Sequence, residues 1–216
     1  MVTNREIFNE IAGSWYGFRH WTRFSIELTE LAQRWEEGRL LNVGCAHGPD
    51  FLPFKEGFDL CGIDFSVQMV KFARKYASKF DLKVNLAIAD ALSLPYHDNS
   101  FDWAIAVATY HHIQGDKQRL QAFYELRRVM KSDAEVYITV WNKWQPGFWL
   151  KGKDIYVAWK SKDNTLYRYY YLFSYNELGK MLNKCGFQII SMMSEKSYNF
   201  PINYFSRNIC ILAKAV

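Results

Sequence analysis

The stretch Arg39-Leu40-Leu41-Asn42-Val43-Gly44-Cys45-Ala46-His47-Gly48 decides the fold. Its apolar first half stops at glycine, the pattern of a strand buried on both faces. Its second half is made of small residues, as a tight strand-to-helix turn requires where backbone must approach a ligand. Downstream, residues 59–64 read as a second strand ending in an acid, Asp64, 20 residues beyond Gly44. At that spacing a carboxylate can grip ribose hydroxyls. Ser66 can cap a helix with Val70, Ala73, Ala77 and Phe80 on its apolar side. Lys71, Arg74, Lys75 and Lys79 fall on its solvated side. Residues 83–88 form a third strand, with Asp90 just past it in reach of an adenine amino group. A fourth strand over 101–108, a helix over 117–130 and a strand over 135–141 continue the series. Such alternation predicts an α/β fold, a mostly parallel sheet with helices on both faces.

On the amino-terminal side, residues 4–36 read as two helices around a loop at 13–17, with Ile7, Ile11, Phe24, Leu28, Leu31 and Trp35 at helical spacing. On the other side the rhythm breaks after Trp141. Residues 142–172 carry Pro146, Gly147 and Gly152 and no clean period, and read as an insertion. Residues 174–184 read as a helix capped by Ser174 and stopped by Gly186. Two strands then follow, 187–193 and 208–214, and their direct connection predicts an antiparallel edge. The expected organisation is one domain over 1–216: a helical cap (1–38), a core (39–141), a substrate-side insertion (142–172), and a closing helix and strands (173–216).

A length of 216 residues suits one domain. With 50% hydrophobic and 23% charged residues, the composition excludes a disordered chain. No apolar run approaches the roughly 18 residues that span a bilayer. Residues 1–6 lack an apolar signal core, so secretion is not expected. Cys45, Cys61, Cys185 and Cys210 form no C-x-x-C pair, so neither a zinc ribbon nor a redox dithiol is suggested. Reduced thiols in the cytoplasm are the plain reading, with no metal site. The net charge of +5 is unevenly spread. Residues 1–150 hold 17 basic and 18 acidic side chains, residues 151–216 hold 10 and 4. Twelve aromatic residues crowd positions 141–175.

Three stretches placed in order at strand ends carry a resemblance. They are Leu41-Asn42-Val43-Gly44-Cys45-Ala46-His47-Gly48, Gly62-Ile63-Asp64-Phe65-Ser66, and Ala89-Asp90-Ala91-Leu92-Ser93-Leu94-Pro95-Tyr96 with Phe101-Asp102. Together they resemble the motif series of class I S-adenosylmethionine-dependent methyltransferases. The resemblance implies a Rossmann-like, seven-stranded sheet with an antiparallel last strand. It implies S-adenosylmethionine as cofactor, on Gly44, Cys45, Ala46 and Gly48, with Asp64 on its ribose and Asp90 near its adenine, and with Phe65, Ala91 and Ala106 among the residues that bind it. The sequence departs from the pattern at Ala46, where glycine is usual, at Asn42, where an acid is usual, and at 131–134, where Pro-Gly-Gly is common.

Further stretches resemble a narrower family. Ala108-Thr109-Tyr110-His111-His112-Ile113, Val140-Trp141-Asn142, Asp154-Ile155-Tyr156-Val157-Ala158-Trp159-Lys160 and Tyr167-Arg168-Tyr169-Tyr170-Tyr171-Leu172-Phe173, with Arg19, are similar to the tRNA wobble-uridine methyltransferases. Those enzymes methylate the carboxylate of 5-carboxymethyluridine in the anticodon loop and work with a small zinc-binding activator subunit. The family's usual proline is Ala158 here, and its histidine is Tyr171. The chemistry agrees with the resemblance. A carboxylate acceptor is already ionised at neutral pH and needs orientation by cations and donors, not a strong base. Arg19, Arg168, His111 and His112 suit that need, and Trp141 at a strand's carboxyl end can wall the pocket or stack a base. Two rivals stand beside this reading: a methyltransferase for a quinone or other metabolite, and a non-catalytic subunit of the same fold. His47 and His97 read as surface or loop residues. An exposed strand edge around 84–88 offers a docking place for the activator.

Overall fold

The computed structural model describes residues 3–160 and 165–216. Its main sheet has seven strands in the order β3-β2-β1-β4-β5-β9-β8. These are β1 (Gly38–Val43), β2 (Phe58–Asp64), β3 (Val84–Ile88), β4 (Phe101–Val107), β5 (Met130–Trp141), β8 (Phe187–Ser194) and β9 (Asn208–Ala215). β1 pairs in parallel with β2 on one side and β4 on the other. The strand order therefore reverses at β1, and the crevice beyond the carboxyl ends of β1 and β4 is where such sheets bind ligands. β9 runs antiparallel to both β5 and β8, in line with the antiparallel edge expected from the sequence.

Alternation along β1 explains how both faces are covered. Leu41 and Val43 join Phe123 and Leu126 of α4 (Asp116–Val129) and Leu178 of α5 (Tyr175–Lys184). Leu40 points the other way, with Leu28 and Trp35 of α2 (Ser25–Trp35) and Tyr76 of α3 (Val67–Phe80). The Ser66 cap works as expected: its hydroxyl accepts the Met69 N–H at 3.1 Å and starts α3 at the mouth of the crevice.

Three expectations need correction. The first concerns α1 (Asn4–Phe18), which is continuous through residues 13–17, so the break falls instead at 19–24. A capping box between Thr3 and Glu6 and the burial of Ile7, Phe8, Ile11 and Ala12 override the cost of about 1 kcal/mol for each helical glycine. The second concerns the insertion, which contains a hairpin of β6 (Asp154–Lys160) and β7 (Thr165–Tyr171); its residues 161–164 lie outside the described ones. No period was visible because Arg168, Tyr169, Tyr170 and Tyr171 are buried in succession, covered on both sides. Tyr169 and Tyr171 enter the main core, while Tyr170 packs with Ile155 and Leu172. The third is His47, which is buried and not a surface residue; His97 is exposed.

Asn4 clips the hairpin to the sheet. Its Nδ2 donates to the His112 and Tyr169 carbonyls at 3.1 and 3.2 Å, and its Oδ1 accepts the Tyr169 N–H at 2.9 Å. Buried Arg119 locks the other side, donating to the Ile113 carbonyl, pairing with Asp116 and stacking 3.5 Å over Tyr171. Among the described residues no helix is long and apolar enough to cross a membrane.

Candidate active site

One cavity of about 510 Å³ opens at the carboxyl ends of β1, β2 and β4. Its floor on one side is the turn after β1. Gly44 adopts φ +72°, and a Cβ there would run into the Thr109 side chain. Thr109 is fixed by its hydroxyl, which donates to the Val43 carbonyl at 2.9 Å. Ala46 itself takes the left-handed conformation, φ +47°, and its N–H donates to Asp64 at 2.9 Å. The second Asp64 oxygen accepts the Ser66 N–H at 2.9 Å. Burial nevertheless pushes the Asp64 carboxyl up to about 6.

Gly44, Ala46, Asp64, Phe65, Asp90 and Ala91 of the expected cofactor set line this cavity. Cys45, Gly48 and Ala106 do not. Cys45, in the turn after β1, and Ala106, which alternation along β4 turns inward, face the core, and Val107 and Ala108 reach the cavity instead. Gly48, at φ +94°, starts the 3₁₀ turn Pro49–Phe54 from outside the lining.

The opposite wall holds the expected acceptor-side residues: His111, His112, Trp141, Arg168 and Arg19 all line the cavity. Tyr170 stacks on Trp141 at 4.2 Å and on His111 at 5.0 Å. Trp141 also carries the Arg207 guanidinium over its ring, at 5.2 Å. It therefore walls the pocket, its faces already engaged. Arg168 is 7% exposed and caged by Trp15, Trp159 and Tyr170, each ring within 5.6 Å of its guanidinium carbon. Its Nε lacks a hydrogen-bond partner, and no carboxylate pairs with it, among the described residues.

The two histidines are uncharged and of opposite tautomer. Burial drives His111 well below the usual histidine range and His112 down to about 3. The His112 Nδ1 lies 3.0 Å from the Tyr169 carbonyl, so it holds the proton and Nε2 keeps a lone pair. The His111 Nδ1 accepts the Trp141 N–H at 3.2 Å, so its proton sits on Nε2. The pair thus offers one donor and one acceptor and no strong base.

Sequence reasoning missed Arg23, Trp21, Arg207, Tyr170, Asp50 and His47, all on the cavity wall. The signal for the first two was the run Phe18-Arg19-His20-Trp21-Thr22-Arg23, which mixes aromatic and basic residues. His47 sits edge-on to Tyr16 and Tyr76, its ring nitrogens lack partners among the described residues, and burial lowers it to about 4. Burial raises Asp50 to about 6.

Residues 41–138 match the family model described as a methyltransferase domain. The chain carries a methyltransferase domain, and its fold is that of the class I S-adenosylmethionine-dependent methyltransferases. The methyltransferase is 27% identical over 175 residues to the tRNA (carboxymethyluridine(34)-5-O)-methyltransferase of Schizosaccharomyces pombe, covering 69% of this chain and 73% of the relative. Its fold matches an S-adenosylmethionine-dependent methyltransferase from Clostridium acetobutylicum with TM-score 0.76 and 14% identity, over 97% and 99% of the chains. It also matches, with TM-score 0.71 and 16% identity over 99% and 97%, a chain from the complex between the Haloferax volcanii Trm112 methyltransferase activator and a methyltransferase. The methyltransferase's own residues fit S-adenosylmethionine: a glycine cradle that admits no Cβ, a buried carboxylate for ribose hydroxyls, and Phe65 beside it.

Proposed function

We propose that this methyltransferase modifies the carboxylate of a wobble uridine in the anticodon loop of tRNA. The observation that carries the reading is Arg168, a buried guanidinium that faces the cavity without a carboxylate partner among the described residues. Two uncharged histidines stand beside it. A hydroxyl or amine acceptor asks for a base, and these rings are poor ones. A carboxylate arrives ionised and needs only to be held. Arg168 can hold it through paired hydrogen bonds, and the His111 Nε2–H can add a third donor. Arg19 adds positive charge from the roof.

S-adenosylmethionine, when bound, supplies an electrophilic methyl group on a sulfonium. Gly44 and Ala46 would hold it through backbone, Asp64 through ribose hydroxyls and Asp90 near the adenine. Much of the rate then comes from holding two reactants in line. The base must leave its stack to enter, and single-stranded loops permit this. The 27% identity to the Schizosaccharomyces pombe enzyme supports the same substrate.

The proposed organisation is one domain in which the cap (1–38) and the insertion (142–172) close over the core. We also infer a small zinc-binding activator as partner, docked on the β3 edge, where Asn85 and Ile88 are exposed. The test is incubation with labelled cofactor and total tRNA, with and without such an activator, followed by nucleoside identification. Label in the methyl ester of 5-carboxymethyluridine is expected. Label confined to a low-mass extract would overturn the tRNA reading in favour of a metabolite acceptor.

A further inference from the structure

The cavity has a second, outer layer of positive charge. Arg23 comes from the α1–α2 connection and Arg207 from the approach to β9, and both reach the rim of the cavity that Arg168 occupies from within. Neither has a carboxylate within ion-pair distance among the described residues. Arg19 and Arg207 are each held below the ordinary arginine range, first by burial and then by neighbouring guanidiniums, Arg23 acting on both. Mutual repulsion of this kind opposes folding unless an anion answers it.

The backbone behind these side chains is fixed. The Tyr76 hydroxyl donates to the His20 carbonyl at 2.8 Å, and Phe24 is buried. The Arg207 carbonyl accepts the Asn142 N–H at 2.9 Å. Yet Trp21, which lines the same cavity two residues before Arg23, stays 63% exposed, and Phe18 stays 68% exposed. Arginines beside open aromatic faces on a firm backbone match single-stranded nucleic acid: guanidiniums for phosphate, a ring for an unpaired base. An acidic peptide would use the charges and leave the rings idle.

We propose that Arg23 and Arg207, with Trp21 beside them, form an outer subsite that takes a phosphodiester and the adjoining base next to the acceptor nucleotide. This rests on the tRNA reading and adds to it a rule: the enzyme grips a strand, not a free nucleoside. The test titrates a fluorescent anticodon stem–loop with the full chain and S-adenosylhomocysteine across a series of KCl concentrations. Loss of the phosphate contact in Arg23→Ala/Arg207→Ala should flatten the log–log salt slope by about 0.7. Affinity at about 0.15 M salt should fall about tenfold or more. Trp21→Ala should weaken binding about fivefold or more with the slope unchanged. Calorimetry with S-adenosylhomocysteine shows that each variant is folded. Wild-type salt slope and affinity in the double variant would overturn the subsite while tRNA methylation by the wild type leaves the tRNA reading standing. Displacement of the RNA by polyglutamate as readily as by unlabelled RNA would also overturn it. A wild type that neither binds the stem–loop nor labels tRNA would bring down both.

Discussion

The two sides of the cavity are built by different means. The cofactor side comes from short stretches at consecutive strand ends, and its groups are backbone amides and one buried carboxylate. The acceptor side is assembled from segments far apart in the chain: residues 19–23, the 3₁₀ turn Tyr110–His112, Trp141, Arg168 and Arg207. Its groups are guanidiniums, aromatic rings and uncharged imidazoles. The first side is shaped by local backbone geometry, so a change there acts through the fold. The second is shaped by side chains brought together in three dimensions, so under the proposed function a change there acts on substrate.

The sharpest way to break this contrast is Gly44→Ala. The new methyl would collide with Thr109 while forcing a side chain into φ +72°. Overpacking and a left-handed backbone together should cost about 2–5 kcal/mol. Thermal denaturation should show a large drop in Tm. Pairing the change with Thr109→Ala should recover part of the loss, because the two residues share one contact. A fully stable single variant would refute the cradle.

Arg168→Ala probes the other side. It should cut kcat/KM on tRNA about 100-fold, since the buried guanidinium proposed to hold the substrate's carboxylate is lost. Affinity for S-adenosylhomocysteine should stay within about twofold, because Arg168 belongs to the acceptor wall. Arg168→Lys should recover little, as an ammonium cannot make the paired contact. Equal loss of cofactor binding and turnover would erase the division between the two sides.

That division also decides what could be read from the sequence. The strand ending at Val43, Asp64 and the Ser66 cap were legible because each obeys a local rule of periodicity, spacing or capping. Arg168 and His111 were reached through resemblance, and nothing local announces that Tyr170 stacks on both His111 and Trp141. Arg207 was invisible, since its place over Trp141 depends on β9 lying beside β5. The hairpin was missed for a physical reason: residues 168–171 of β7 are covered on both faces, and there the two-residue alternation that marks a half-buried strand disappears. Ala106 was misplaced by one residue of alternation along β4, which turns a side chain from cavity to core, and Cys45 by the turn after β1, which sends its side chain into the core.

A smaller effect should appear in the pH dependence of cofactor binding. Burial raises Asp64 to about 6, and a carboxylate accepting ribose hydroxyls must be ionised. Its ionised fraction is near nine-tenths at pH 7 and near one-tenth at pH 5. Affinity for S-adenosylhomocysteine should therefore rise about tenfold from pH 5 to pH 7. Asp50 has a similar value, so Asp64→Asn is the control that assigns the effect. That variant should bind more weakly at pH 7 and show a flatter profile. An unchanged profile in Asp64→Asn would assign the titration to another group.

The smallest effect is expected where charge is abundant but misplaced. Helix α3 carries Lys71, Arg74, Lys75 and Lys79, all exposed, as dense a basic stripe as the cavity rim. Lys75 lies 5.5 Å over Tyr16 and Lys79 5.3 Å over Phe80, so both are occupied by the protein's own rings. Lys71 and Arg74 face solvent, where an isolated charge contributes little. If net charge alone drew RNA to this methyltransferase, Lys71→Ala/Arg74→Ala should weaken stem–loop binding as much as Arg23→Ala/Arg207→Ala. If instead RNA follows the rim of the cavity, the α3 double variant should keep its affinity within about twofold, with the salt slope unchanged. The two double variants remove the same charge from the same chain, so any difference between them measures position and not charge.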